Sequence, residues 1–246
     1  IMDLPLYAAI CAGVPTDSAQ WGAGMTKVYD CLSHDFVYHD LSKMMIFPGN
    51  HDTDRIGDVV RQNPDRMKIV MTMMATMRGF PQIFAGDEMM FVSKDKSQGH
   101  GGLRVDFPGG WKGDKGNWFT EDGRKAALTG TDGKPVPAGQ VAELHDFTRK
   151  LFQWRKGKSV IHDGKTLHFL SRDNTYAYFR YNADEAVFVF INNSRGRKSI
   201  PWSHYAEIAE GLHDGKNVLT GEAVEVNDST VVGPRKALVV EYKRKK

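Results

Sequence analysis

Two rhythms divide the chain. Up to about residue 156, short apolar runs alternate with stretches of helical period, and beyond about residue 160 apolar positions recur in twos. The change predicts an α/β region over residues 1–156 and an antiparallel all-β region over residues 157–246. Residues 44–47 form an apolar run that stops at Pro48-Gly49, as a buried strand entering a loop does. Residues 65–78 follow Asn63-Pro64 and end at Gly79, so an acidic residue and a glycine stand where a helix wants them. The apolar positions Met67, Ile69, Val70, Met71, Met73, Met74 and Met77 occupy most of the helical wheel. That predicts burial on more than one side, with the methionines as core filling. Residues 81–85 give a second strand ended by Gly86, and strand, helix, strand in this order implies parallel pairing with a right-handed crossover.

Residues 87–138 read as one glycine-rich loop, long for a compact domain, whose Leu103, Val105, Phe107, Trp111, Trp118 and Phe119 are expected to pack down. Helical period returns over residues 141–155, with Val141, Leu144, Phe147, Leu151 and Trp154 covering about 140° of the wheel. Strands are predicted at residues 166–170, 175–181, 186–192, 198–202, 221–226 and 237–242. Turns are predicted at Arg172-Asp173-Asn174, Asn182-Ala183-Asp184, Asn192-Asn193 and Asp214-Gly215. Strands so spaced suit a sandwich.

Composition adds exclusions. The chain has 246 residues, 41% hydrophobic and 26% charged, ordinary values for a globular protein. The formal charge is +3, but residues 243–246 carry +4, so the rest is nearly neutral and offers no basic field for nucleic acid. Those four residues read as a solvated end. Apolar runs are too short for a helical membrane span, and no leader pattern opens the chain, so a soluble protein of open compartment is expected. Cys11 and Cys31 suit two thiols or one bond.

The densest chemistry follows the first predicted strand, in Phe47-Pro48-Gly49-Asn50-His51-Asp52-Thr53-Asp54-Arg55. Loops beyond the carboxyl ends of parallel strands are where α/β folds carry side chains into a crevice. The segment resembles the fourth conserved region of the alpha-amylase family of glycoside hydrolases, family 13, in which an aromatic residue ends the seventh barrel strand and Asn-His-Asp and Arg follow. Residues 68–88, ending in Arg78-Gly79-Phe80-Pro81-Gln82-Ile83-Phe84-Ala85-Gly86-Asp87-Glu88, resemble that family's seventh helix and eighth strand. Arg104-Val105-Asp106-Phe107-Pro108-Gly109-Gly110-Trp111 resembles a loop of the cyclomaltodextrinase and neopullulanase branch. Phe152-Gln153-Trp154-Arg155 resembles the helix leading into its terminal sheet domain, and Ile1-Met2-Asp3-Leu4-Pro5-Leu6 the end of its sixth strand.

The resemblance implies the last strands and helices of a TIM (β/α)8 barrel, about strands 6 to 8, followed by a C-terminal antiparallel β-sandwich. It implies retaining hydrolysis of α-glucosidic bonds in starch-derived oligosaccharides or cyclodextrins, Asp52 stabilising the transition state. His51, Asn50, Arg55 and Asp106 are the expected substrate-binding residues, Asn50 or Arg55 orienting the His51–Asp52 pair. No cofactor and no metal ligand is implied for these residues, while the longer enzyme has room for a structural calcium. The family's nucleophile and acid/base follow its fourth and fifth strands, so the chain is expected to be a fragment, inactive alone, which associates with the missing barrel half or with its own copies. Asp54, Glu88 and Asp106 are weaker substitutes for that pair. The methionine-rich helix is expected to be the most exposed apolar surface of such a fragment, and the region after residue 157 to be stable alone.

Two rivals remain. Gly49-Asn50-His51-Asp52 also resembles a metallophosphoesterase segment, but the partner motifs that a two-metal site needs are missing and His100 stands alone. A non-catalytic sugar-binding or structural module would use Trp111, Trp118, Phe119, Trp202 and Tyr205 as platforms, residues that more simply fill a core.

Overall fold

The computed structural model describes residues 1–107, 128–129, 135–227 and 229–245. Trp111, Trp118 and Phe119 lie outside them. Met2 bridges Met45 in parallel, and β1 (Met45–Ile46) pairs in parallel with β2 (Phe80–Pro81). Two helices that periodicity did not disclose, α1 (Leu4–Gly13) and α2 (Met25–Ser33), fill the first crossover. Asp3 caps α1 by accepting from the Leu6 amide at 3.0 Å, and Pro5 stands in its first turn. The second crossover holds the short α3 (Ile56–Val59) and α4 (Pro64–Thr76). Asn63 caps α4 through the Arg66 amide at 3.0 Å. The chain re-enters the parallel ladder at Gly79, whose φ is +85°; a Cβ there would meet the Met44 carbonyl at 2.3 Å. Among the described residues no strand covers the outer edges of Met2 and β2.

The strand expected over residues 81–85 is shorter, because after Gln82 donates to the Ile46 carbonyl at 2.8 Å the chain leaves the ladder. Among its described residues the long loop contains two 3-10 turns, a four-residue helix at His100–Leu103, and an antiparallel pairing of β3 (Leu128–Thr129) with β4 (Pro135–Val136). A 19-residue helix, Ala138–Lys156, follows. It packs on α4, and this overturns one expectation: the methionine helix is not an exposed surface. Met67, Met71, Met73 and Met74 are fully buried against that helix and the terminal sheet. Each such side chain contributes about 1.5–3 kcal/mol relative to exposure.

The terminal region is a five-stranded antiparallel sheet in the order β5 (Lys165–Arg172), β6 (Thr175–Tyr181), β7 (Glu185–Asn192), β11 (Lys236–Arg244), β9 (Leu212–Asn217). Strands β8 (Lys198–Ser199) and β10 (Val231–Val232) form a separate pair. Period two puts Tyr176, Tyr178, Val187, Val189, Ile191 and Val239 in the same core as the helices. Ala177, Phe179, Phe188, Phe190 and Tyr242 face a second core with Trp202 and Tyr205, which are therefore interior packing and not sugar platforms. The sheet has a core of its own on one face and shares the other with the first 156 residues.

Asp173 and Asn174, both at positive φ, make the β5–β6 turn as expected. Asp214-Gly215 is not a turn. It is a bulge inside β9, where two residues face one on β11, with Asp214 at φ +55°. Turn and bulge use the same residue types, hence the misreading. Residues 221–226 contribute only a bridge between Lys216 and Ala223. The strand expected over residues 198–202 stops after Ser199, before Pro201 and a 3-10 turn. Lys243 and Arg244 belong to β11, Lys243 pairing with Asp214 at 2.9 Å, so the solvated end is shorter than expected. Cys11 and Cys31 are free thiols, raised to about 11 by burial.

Polar contacts lock the sheet to the helices. The Asn193 side-chain amide donates to the carbonyls of Gly13, Val14 and Thr16, and Asn174 Oδ1 accepts from the Met25 amide at 2.9 Å. Asp17 meets Arg66 of α4 at 2.9 Å, Arg195 at 2.7 Å and Arg235 at 2.9 Å. Burial pushes the Asp17 carboxyl up, but the three guanidiniums outweigh it and hold the group below its ordinary value. A depressed folded pKa gives stability that is present above the unfolded value, about 3.9, and is lost as pH falls through the folded one. Asp17→Asn should therefore cost about 2 kcal/mol at pH 7. In urea unfolding the gap between variant and parent should close as pH is lowered beneath about 3.9.

Candidate active site

Beyond the carboxyl end of β1, Phe47 is buried and stacks on Tyr7 of α1 with ring centroids 5.4 Å apart. Asn50 then turns the chain: its side-chain oxygen accepts from the Asp52 amide at 2.8 Å, and its own amide donates to Thr53 Oγ1 at 2.9 Å. Burial raises the Tyr7 phenol to about 12. In this turn Asn50 is buried while His51 and Asp52 are exposed.

The Asp52 side chain is 53% exposed, open enough to meet a ligand. Its Oδ1 accepts from Arg104 Nη2 at 3.0 Å and lies 3.4 Å from His100 Nδ1, while Oδ2 is 3.2 Å from His51 Nε2. Arg104 Nε also donates to the His51 carbonyl at 3.4 Å. A carboxylate has about four lone-pair directions. These three contacts hold it and leave capacity for a further donor such as a hydroxyl.

Beneath the exposed pair lies the Arg55 guanidinium, 1% exposed. Its Nε donates to the Leu103 carbonyl at 2.8 Å, and its Nη1 to the Ala85 carbonyl at 3.1 Å and to Asp87 Oδ1 at 2.9 Å. The Phe84 ring lies 3.8 Å from its Cζ. Burial pushes the Asp87 carboxyl up, to about 7, against the pull of Arg55. Arg55 thus ties the loop after β1, the loop after β2 and the helix His100–Leu103 together. That helix sits close because Gly102 lacks a Cβ, which would fall 1.8 Å from the Asp95 carbonyl oxygen.

Of the expected site residues, His51 and Asp52 are together and exposed. Asn50 and Arg55, expected at the substrate, are buried, Asn50 accepting from the Asp52 amide and Arg55 donating to the Leu103 and Ala85 carbonyls and to Asp87. Asp106 is exposed two residues past Arg104, with no hydrogen bond to Asp52 among the described residues. Asp54 is exposed, and Glu88 is used locally, accepting from the Gly86 amide at 2.9 Å. His100 does not stand alone as expected but reaches Asp52. His100, Arg104 and Tyr7 were not among the expected site residues; the four-residue spacing of His100 and Arg104, one helical turn, was the available signal. Among the described residues no group of three or more His, Cys, Asp or Glu could hold a metal ion.

A strand-end carboxylate and histidine thus lie beyond parallel strands that are joined to a β-rich terminal region. Residues 17–198 match the family described as alpha amylase, catalytic domain, and the chain belongs to that family. Residues 166–241 also match the cyclo-malto-dextrinase C-terminal domain. The two matches overlap over residues 166–198, where the structure has the antiparallel sheet.

Solved structures with a similar fold include an alpha-amylase from Geobacillus thermoleovorans complexed with acarbose, at 18% identity and TM-score 0.67, covering 100% of this chain and 48% of that one. AmyP in complex with maltose matches at 15% identity and TM-score 0.72, covering 98% and 49%. Cyclic alpha-maltosyl-(1→6)-maltose hydrolase from Arthrobacter globiformis matches at 16% and 0.63, covering 98% and 44%. At these identities the likeness is one of fold. The chain spans about half the length of the structures it matches. No helix among the described residues is long and apolar enough to cross a membrane.

Replacing Arg55 by Met should strand the buried Asp87 and cost about 3–5 kcal/mol. Urea unfolding reads the loss, and faster amide exchange over residues 100–104 should accompany it.

Proposed function

We propose that these residues form the C-terminal part of a retaining glycoside hydrolase acting on α-glucosidic bonds. Residues 1–156 supply about strands 6 to 8 of a (β/α)8 barrel with their helices, and residues 157–246 a terminal antiparallel sandwich. The uncovered edges of Met2 and β2 favour the barrel reading, since a closed barrel leaves no strand edge. The rest of the barrel, or a second copy of the chain, would cover them. The observation that carries the function is the Asp52 carboxylate, exposed at the end of a parallel strand and oriented by a buried scaffold.

In this reading Asp52 meets hydroxyls of the reacting sugar. As the anomeric carbon gains positive charge, a fixed negative charge beside the ring is worth more than in the ground state. His51 donates to a hydroxyl of the same sugar. Arg104 and His100 hold Asp52 from its other flank, and Arg55 and Asn50 act through them and not on the sugar. Asp106 lines the approach. The nucleophile and the acid/base, two carboxylates about 5 Å apart in retaining enzymes, come from elsewhere in the enzyme. These 246 residues alone are then inactive. The substrates are starch-derived oligosaccharides or cyclodextrins, a reading supported by the cyclo-malto-dextrinase match over residues 166–241. That match also favours the cyclomaltodextrinase and neopullulanase branch.

Asp52→Asn in the full-length enzyme should lower kcat by about 10²–10³ with KM little changed, the pattern for an interaction made mainly in the transition state. Arg104→Met should cost less, since Asp52 keeps its charge. Reducing-sugar assays on cyclodextrin and pullulan test both, and equal kcat for Asp52→Asn and the parent would remove Asp52 from the reaction. The isolated chain should release no sugar, and release abolished by Asp52→Asn would show that it carries its own acid and nucleophile.

A further inference from the structure

A cavity of about 620 Å³ opens between α2, the Arg78-Gly79 corner, the start of β5 and the end of β6, on a different set of residues from the Asp52 loops. Its wall contains Arg180 of β6, which is 3% exposed. A guanidinium has five N–H donors. Three are used on neutral acceptors: Thr166 Oγ1 at 2.6 Å, the Ile161 carbonyl at 2.9 Å and the Gly164 carbonyl at 2.7 Å. Nε has no partner, one Nη1 proton is unused, and no carboxylate among the described residues pairs with the side chain. A buried charge in this state is costly unless something else meets it.

The neighbouring cations show the contrast. Arg78, in the same wall, is neutralised by Asp3 and Asp35. Arg155 behind it meets only the carbonyls of Ala75 and Gly79, so a second uncompensated guanidinium adds to the positive field. Lys165 at the rim is exposed and pairs with no carboxylate among the described residues, and His162 and His168 line the same space. The acidic side chains there are Asp35, already committed to Arg78, and exposed Asp163. Burial also lowers Arg180, to about 10, consistent with a charge that its own fold does not compensate.

We infer that this cavity is a binding site for a phosphate-class oxyanion, with Arg180 as its buried anchor and Lys165 at its mouth. His162 Nε2 already bonds the Arg155 carbonyl and His168 Nδ1 the Tyr176 hydroxyl, both at 3.0 Å, so the charged donors are a guanidinium and an ammonium from neighbouring strands, a pairing that suits an oxyanion. The space exceeds what one phosphate fills, so the anion can be free phosphate or the phosphate of a sugar. The inference does not rest on the glycosidase reading.

Isothermal titration of the 246-residue chain with inorganic phosphate, glucose 6-phosphate and glucose tests it, with melting temperature read in parallel. Saturable phosphate binding at millimolar Kd or tighter is expected, with a raised Tm and no binding of glucose. Lys165→Met should weaken phosphate by roughly fivefold and Arg180→Met should lose it. Tighter binding of glucose 6-phosphate than of phosphate would identify a sugar phosphate as the source, and equal binding would identify the free anion; either supports the site. Arg180→Met risks the fold, and in that case Lys165→Met, a change at an exposed position, decides. Absence of saturable binding of both phosphates up to about 10 mM, or phosphate binding unaltered by Lys165→Met, overturns the inference.

Discussion

The site rests on one buried cation. Arg55 is almost wholly enclosed, and from the loop after β1 its contacts reach two other segments, Leu103 in the loop helix and Ala85 and Asp87 after β2. Few side chains could do this, since the guanidinium is planar, permanently charged and able to donate in several directions at once. The Phe84 ring covers its face, and Asp87 supplies the countercharge. The position of His100 and Arg104 over Asp52 follows from that node.

A second dependence joins the two halves. The sheet turns one face to aromatic residues of its own and the other to the helices, so Tyr176, Val189 and Val239 share a core with Met71 and Val141. Burial of this kind is non-directional and would allow several dockings. Direction comes from the polar contacts at the seam, where Asn174 and Asn193 satisfy backbone groups of residues 13–25 and Asp17 collects three arginines. Gly24 belongs to the same seam: a Cβ there would lie 2.2 Å from Asn174 Oδ1.

The buried arginines divide by how their charge is met. Arg55 and Arg78 have carboxylates, Arg78 keeping its own even though it lines the same cavity as Arg180. Arg155 and Arg180 have carbonyls, and Arg180 faces a cavity. In one chain, then, the same residue type serves to fasten loops at one end and leaves a field unspent at the other. The distinction is one of desolvation: a carbonyl satisfies a donor, while only an anion cancels the charge.

Periodicity and punctuation by themselves determined the parallel unit of β1, α4 and β2, the long helix before residue 157 and the hairpin strands β5 to β7, because each of these is set by local pattern, caps and turn residues. They also located Asn50-His51-Asp52 at a strand end. Only the tertiary structure decided the rest. The apolar wheel of the methionine helix already implied burial on more than one side, but that the terminal sheet and the helix Ala138–Lys156 are what close over it is recorded in no window of its own sequence. Asp214-Gly215 became a bulge because β11 runs opposite, since the same dihedral preferences serve turns and bulges. His100 and Arg104 reached Asp52 across about fifty residues, and Arg180 found a cavity in place of a carboxylate. Contacts of that separation depend on where packing brings the chain back, and periodicity carries no information about it.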